Sequence, residues 1–225
     1  MAGSISRSSP LAGPPRRGIP RAFDAAASAL GLVVFLPLIA LCALAVVLTS
    51  AGPPLYRQRR VGRGGTPFWL YKLRTMRPSS GGSLVTARGD ARVTRVGRFL
   101  RRSKLDELPQ LWNVLRGDMA LVGPRPEVPE YVDLADPLWR RVLAVRPGIT
   151  DPVTLRLRDE EDMLAAAPGD PETFYRDQLQ PRKLRAYMRY LDRRNLRTDL
   201  RTLADTLIAI VAPGRGPAGP EGLEP

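Results

Sequence analysis

The stretch Ser103-Lys104-Leu105-Asp106-Glu107-Leu108-Pro109-Gln110-Leu111-Trp112-Asn113-Val114-Leu115-Arg116-Gly117-Asp118-Met119, continuing through Leu121-Val122-Gly123-Pro124-Arg125-Pro126-Glu127, decides how the rest of the chain is read. Its core carries the marks of a short helix. Ser103 suits an N-cap, Asp106 three residues on completes a capping-box-like pattern, Pro109 fits the first turn and Gly117 ends the run. Two adjacent carboxylates, Asp106 and Glu107, then stand at a helix start, where unpaired N–H groups and the helix dipole favour an ionised acid and a docked phosphate. Acids in a first turn are also ordinary capping groups, so the pair alone decides nothing.

Composition narrows the chemistry. The 225 residues suit one domain with a membrane segment. Thirty-five basic against 22 acidic residues give a formal net charge of +13, which calls for an anionic partner: nucleic acid, phospholipid head groups or phosphorylated substrates. There is no histidine, and the one cysteine, Cys42, lies in an apolar run. A disulfide framework, a histidine base and a typical zinc site are therefore excluded. Acid–base or nucleophilic work falls to carboxylates, Lys, Tyr or Ser, and any metal would be a hard, oxygen-bound ion such as Mg2+.

Ala25 to Leu48 is free of charge and long enough for a membrane helix. Arg16, Arg17 and Arg21 precede it, and Arg57, Arg59, Arg60 and Arg63 follow. The positive-inside rule pulls both flanks to the cytoplasmic side, which a simple crossing does not satisfy. Pro37 near the middle removes one helical hydrogen bond and leaves two arms of about 12 residues, each close to half a bilayer core. A helix that enters, bends at Pro37 and leaves on the same face meets both conditions; a straight bitopic helix is the alternative.

Residues 1–20, rich in Ser, Pro, Gly and Arg, are expected to be a disordered leader, and 213–225 a disordered tail. Residues 54–59 and 67–74 flank Gly62-Arg63-Gly64-Gly65 as a β-hairpin. Lys72 and Arg74, two apart on one strand face, make either a phosphate cradle or a solvated basic face. Residues 77–92, rich in Gly and Ser, predict a mobile loop. Thr94 can cap a helix to about Arg102. Pro124 and Pro126 stiffen the backbone and present Arg125. Arg158-Asp159-Glu160-Glu161-Asp162 is expected to be a helix start, solvated or else meeting the basic patches within the fold. Pro181 to about Ala212 is expected to be helical with one apolar stripe, either interfacial or core-facing.

Leu105 to Met119 and Leu121 to Glu127 closely resemble the signature of bacterial sugar transferases, the monotopic phosphoglycosyl transferases. Arg21 and Asp24 match the start of that family's membrane helix, whereas Pro20 stands where a basic residue is usual and Leu36 where Ser precedes the proline, leaving Ser28 or no side chain to hold the break. Tyr71-Lys72-Leu73-Arg74-Thr75-Met76 and Arg146-Pro147-Gly148-Ile149-Thr150 are similar to further family motifs, with Asp151-Pro152 departing from them.

The resemblance implies an α+β fold: a re-entrant membrane helix (25–48), a small β-hairpin and a compact helical catalytic domain with amphipathic interfacial helices, the whole spanning 21–212. It implies transfer of a sugar-1-phosphate from a UDP-sugar to undecaprenyl phosphate with release of UMP, through a phosphosugar-aspartate. Asp106 and Glu107 would be catalytic and hold Mg2+. Arg101, Arg125, Pro124, Pro126, Lys72 and Arg74 would bind substrate. The expected place is the cytoplasmic face of the inner membrane, at the first membrane step of a surface glycan (exopolysaccharide, capsule, O-antigen or glycoprotein glycan), with downstream glycosyltransferases as partners and no nucleic acid. A membrane-tethered basic protein binding nucleic acid or anionic lipid is the competing class; it explains the charge but leaves residues 105–127 unused.

Overall fold

The computed structural model describes residues 18–77, 84–157 and 160–212. Most of the expected leader, the whole tail, Arg16, Arg17, Arg158, Asp159 and residues 78–83 of the expected loop lie outside them. The described chain is α+β, with a long N-terminal apolar helix and two small sheets.

Helix α1 (Arg21–Thr49) is continuous through Pro37. Both of its ends are fastened to the same body. At the start, the Arg21 guanidinium donates to the Val114 and Leu115 carbonyls, each at 2.6 Å, and Asp24 accepts from the Leu121 N–H at 3.2 Å. Toward the end, Cys42 and Val46 pack with Leu73 and Leu100. Between these anchors Val33 to Pro37 are all exposed, over more than one helical turn, so the middle stands clear of the body. The Ser28 hydroxyl bonds the Asp24 and Ala25 carbonyls, more than three turns before the proline, so it does not fill the partner that Pro37 frees.

Strands β1 (Leu55–Val61) and β2 (Pro67–Leu73) form the expected antiparallel hairpin, from Leu55 opposite Leu73 to Val61 opposite Pro67. Lys72 lies on β2. Arg74, just past it, corrects the expected cradle: it is buried, and its guanidinium donates to the carbonyls of Ser50, Ala51, Gly52 and Pro53. It holds the turn that follows α1 instead of facing a substrate, gathering the four successive carbonyls of residues 50–53.

Helix α2 (Arg95–Arg102) begins as expected, with the Thr94 hydroxyl accepting from the Gly97 N–H at 2.8 Å. The short helix expected to start at Ser103 does not begin there. Ser103 instead ends α2, with its hydroxyl on the Phe99 carbonyl, and Lys104 takes a left-handed conformation (φ 58°). Residues Leu105–Glu107 make one 3-10 turn before α3 (Gln110–Arg116). The reason is local: once Ser103 bonds backward, it cannot cap forward.

Asn113 on α3 is fully buried and covers the free edge of β2, donating to the Trp69 carbonyl and accepting from the Tyr71 N–H. Strand β3 (Ala120–Val122) then pairs in parallel with β4 (Gly148–Thr150), beyond α4 (Pro137–Val142). The backbones meet closely at two glycines. A Cβ on Gly123 would lie 2.4 Å from the Arg146 carbonyl oxygen, and one on Gly148 2.1 Å from the Gly123 nitrogen. The short α5 (Pro152–Arg156) opens with Asp151 accepting from the Val153 and Thr154 N–H groups, which accounts for the Asp-Pro pair at this place.

Helix α6 (Glu160–Ala165) is stitched into the fold: Glu160 meets Lys183, Glu161 meets Arg101 and Asp162 meets Arg88. The stretch thus meets the basic patches within the fold rather than forming a plain solvated face, although Glu161 stays half exposed. Its Glu161 carbonyl also accepts from the Arg88 N–H, so the described part of the expected loop is pinned. After α7 (Pro171–Phe174), the last helical segment is two helices, not one: α8 (Gln180–Arg193) and α9 (Leu196–Val211), broken at Arg194 and capped by Asn195 with Thr198. Leu184, Tyr187 and Leu191 of α8 enter the core, whereas Leu196, Leu200 and Leu207 of α9 are exposed. The single stripe is therefore divided between core and surface.

The anchoring role of Arg74 gives the first prediction. Arg74→Lys retains charge but loses the planar fork, and should lower unfolding stability by about 2–4 kcal/mol, read as a lower Tm in detergent.

Candidate active site

The 3-10 turn brings Asp106 and Glu107 to the hairpin. Glu107 accepts from Lys72 Nζ at 3.2 Å and lies 3.6 Å from Arg125 Nη1. One carboxylate thus joins β2 to the Pro124–Pro126 segment. Burial alone would raise Glu107, but Lys72, Arg125 and Lys104 outweigh it and hold the acid well below the ordinary carboxylate range. Burial draws Lys72 down to about 8 against the pull of Glu107. The Glu107 charge, ahead of the opposing burial, raises Arg125.

Asp106 differs. It is buried, and its Oδ1 has no hydrogen-bond partner. No backbone N–H caps it, because the Glu107 and Leu108 N–H groups are used by the Lys104 and Leu105 carbonyls within the tight turn. The capped, readily ionised acid expected here is corrected accordingly. Burial first, then the charge on Glu107, raises its pKa, while Lys72, Lys104 and Arg101 pull the other way. The two acids are electrostatically linked but unequal: one is clamped, the other waits.

Arg101 lies beside them, bonded to the Thr75 hydroxyl and Glu161, each at 3.0 Å. Arg125 is the half-buried residue in an otherwise buried run, Val122 to Val128. Pro124 and Pro126 are themselves buried, and their carbonyls accept from the Gly148 N–H and Arg60. They frame Arg125 and offer no surface of their own. Of the expected substrate-binding residues, the structure thus gathers Lys72, Arg101 and Arg125 around the acids and removes Arg74.

Behind Arg125 stands a network that sequence reasoning missed. Glu127 accepts from the Tyr175 hydroxyl at 2.5 Å and lies 3.6 Å from Lys183 and 3.7 Å from Arg60. Lys183, only 3% exposed, also reaches Glu160 at 3.2 Å. The Arg125 N–H donates to the Tyr187 hydroxyl at 3.2 Å. A lysine inside the apolar face of α8 was the available signal, since lysines are rarely buried unless paired. A cavity of about 520 Å³ lies elsewhere, lined by Gln58, Arg59, Glu130 and Leu134 among others, and contains neither acid.

A divalent ion has two carboxylates to use, for among the described residues no group of three or more His, Cys, Asp or Glu converges. Mg2+ commonly binds through one or two carboxylates together with substrate phosphates and water. The unpartnered Asp106 oxygen beside an ionised Glu107 fits such an ion.

An acid pair ringed by cations, in a chain with one long apolar helix, suits phosphate chemistry. The family model of bacterial sugar transferases matches residues 15–213, and the chain belongs to that family. A UDP-glucose:undecaprenyl-phosphate glucose-1-phosphate transferase of Caulobacter vibrioides is 51% identical over 135 residues, covering 58% of this chain and 51% of that protein. A putative undecaprenyl-phosphate N-acetylgalactosaminyl 1-phosphate transferase of Bacillus subtilis is 47% identical over 117 residues, 51% of this chain and 65% of that one. The chain thus spans between about half and two thirds of these two relatives. The exopolysaccharide production protein PSS of Rhizobium leguminosarum is 33% identical over 207 residues, covering 87% of this chain and 96% of the relative.

Removing Lys183 leaves two acids facing each other. Lys183→Met should cost about 3–5 kcal/mol in denaturant unfolding, and adding Glu127→Gln should restore part of it. Burial lowers Lys183, but Glu160 and Glu127 outweigh it, so its folded pKa lies above the ordinary lysine value. Its stabilisation is therefore complete below about pH 10.4 and lost as pH rises through the folded pKa. Tyr175 and Tyr187, raised by burial, act in the same direction. Wild-type stability should fall steeply above pH 10, and less so in Lys183→Met.

Proposed function

We propose that this chain moves a sugar-1-phosphate from a UDP-sugar to undecaprenyl phosphate and releases UMP. The carrying observation is the unequal acid pair: Asp106, buried with a free oxygen, beside Glu107 clamped by Lys72 and Arg125. Family membership and the printed names of the Caulobacter and Bacillus relatives point to the same reaction class.

In the first step an Asp106 carboxylate oxygen bonds to the phosphorus attached to the sugar. The bridging P–O bond of the diphosphate breaks, and its electron pair leaves on UMP. In the second, an oxygen of the lipid phosphate attacks that phosphorus and the Asp106–phosphorus bond breaks, returning the carboxylate. Lys72, Arg101 and Arg125 offset the phosphate charge, and Lys72, Lys104 and Arg101 pull Asp106 toward its ionised form. Mg2+ held by Asp106 and Glu107 would add positive charge at the donor phosphates. Glu107, already ionised, keeps Lys72 and Arg125 aimed at the site.

Helix α1 serves the lipid side. With 29 residues it is about 43 Å long at 1.5 Å per residue, more than a bilayer core needs. Both ends sit on one polar body and the middle stands free, which supports a re-entrant helix with the catalytic body on the cytoplasmic face of the inner membrane. The exposed apolar face of α9 suits the interface. The Rhizobium relative's name supports a place in exopolysaccharide assembly, where glycosyltransferases would extend the lipid-linked sugar.

Enzyme mixed with UDP-sugar and Mg2+ but no lipid should gain the mass of one phosphosugar on the Asp106 peptide and release a stoichiometric burst of UMP. Asp106→Asn should stay folded and lose both. UMP that appears only after lipid is added would replace the covalent route with direct transfer.

Topology is checked separately. With Cys42→Ala as background, single cysteines at Ile19 and Ala51 should both resist an impermeant thiol reagent in intact cells. Labelling of the Ile19 position alone would restore a bitopic helix.

A further inference from the structure

Gln110 is 2% exposed, yet its Nε2 has no hydrogen-bond partner. Nearly every buried polar side chain finds one, and an orphan costs roughly 1–3 kcal/mol. The second orphan nearby is Asp106 Oδ1. The backbone stays right-handed helical at Leu108 and Pro109, so residues 106 and 110, four apart, share one face. An unpartnered donor and an unpartnered acceptor are therefore presented from one face of the same turn.

Such a pair is matched by a group that offers an oxygen to the donor and an electron-poor atom to the acceptor. A phosphoryl group offers both. Lys72 and Arg125 already hold Glu107, whereas Gln110 has no ion pair to give up. Its amide is also neutral, so it can grip a phosphoryl oxygen without neutralising Asp106.

We propose that Gln110 Nε2 donates to a non-bridging oxygen of the sugar-linked phosphate while Asp106 attacks its phosphorus, which makes Gln110 a catalytic residue. The inference rests on the transfer reading above. Gln110 gives up no proton: the bond formed is Asp106 oxygen to phosphorus, the bond broken is the diphosphate bridge, and the electron pair leaves on UMP.

The test compares full-length wild type with Gln110→Met and Gln110→Glu, following the UMP burst from UDP-sugar without lipid and, in parallel, Tm. Gln110→Met removes the orphan at nearly constant volume. Its Tm should hold or rise while the burst slows about 100-fold, the loss expected for one donor to a developing transition state. Gln110→Glu, which places an acceptor where the donor stood, should slow it at least as far. A wild-type burst rate per folded enzyme in Gln110→Met overturns the proposal, whatever its Tm. If Met fails to fold, a wild-type rate in the equally shaped Gln110→Glu overturns it. UMP from wild type only after lipid is added overturns the covalent step and this inference with it, while no UMP even with lipid overturns the transfer reading itself.

Discussion

The structure turns on one carboxylate. Glu107 receives Lys72 from the hairpin and faces Arg125 from the segment between β3 and α4, and so joins three parts of the chain far apart in sequence. Two cations on one buried acid keep it ionised despite its burial. The acid in turn keeps both cations at one place, and its charge bears on Asp106 beside it. The immediate neighbours thus acquire opposite characters from a single arrangement.

That clamp needs a rigid far side, and the buried network behind Arg125 provides it. Glu127, Glu160, Lys183 and Arg60 come to two charges of each sign, and the Tyr175 hydroxyl fills a further acceptor position on Glu127. Desolvating these ions is expensive, and apolar packing would often be as stable. Here the arrangement holds backbone as well: Arg60 bonds the Pro126 carbonyl and Tyr187 receives the Arg125 N–H. Arg125 is left with little freedom except at its tip.

Two arginines tie the apolar helix to this body in the same way. Arg21 closes the carbonyl end of α3, and Arg74 fixes the turn of residues 50–53 just beyond α1. Each guanidinium offers several donors in one plane to backbone carbonyls at or just beyond a helix end. Next to a bilayer, where water is scarce, unpaired carbonyls are most costly, so arginine at these positions stabilises the junction more than its charge alone suggests.

Much of this was legible in the chain itself. The hairpin follows from two alternating runs around a glycine turn, the α2 start from Thr94, and the posture of Arg125 from the prolines on either side, because these are properties of neighbouring residues. The wording of residues 105–127 pointed to the family, although Asn113 and Gly123 within it answer to distant partners, Trp69 and Tyr71 for one and Arg146 for the other. Other features were decided only in three dimensions. Arg194 breaks a helix because its guanidinium reaches back to the Val122 carbonyl, and Arg74 turns from the site because α1 ends beside it. Glu160 and Glu161 find Lys183 and Arg101 across the fold. Periodicity tells which face of a helix is apolar, but which charges meet inside depends on long-range packing that brings distant residues within a few ångströms, and no local pattern encodes that.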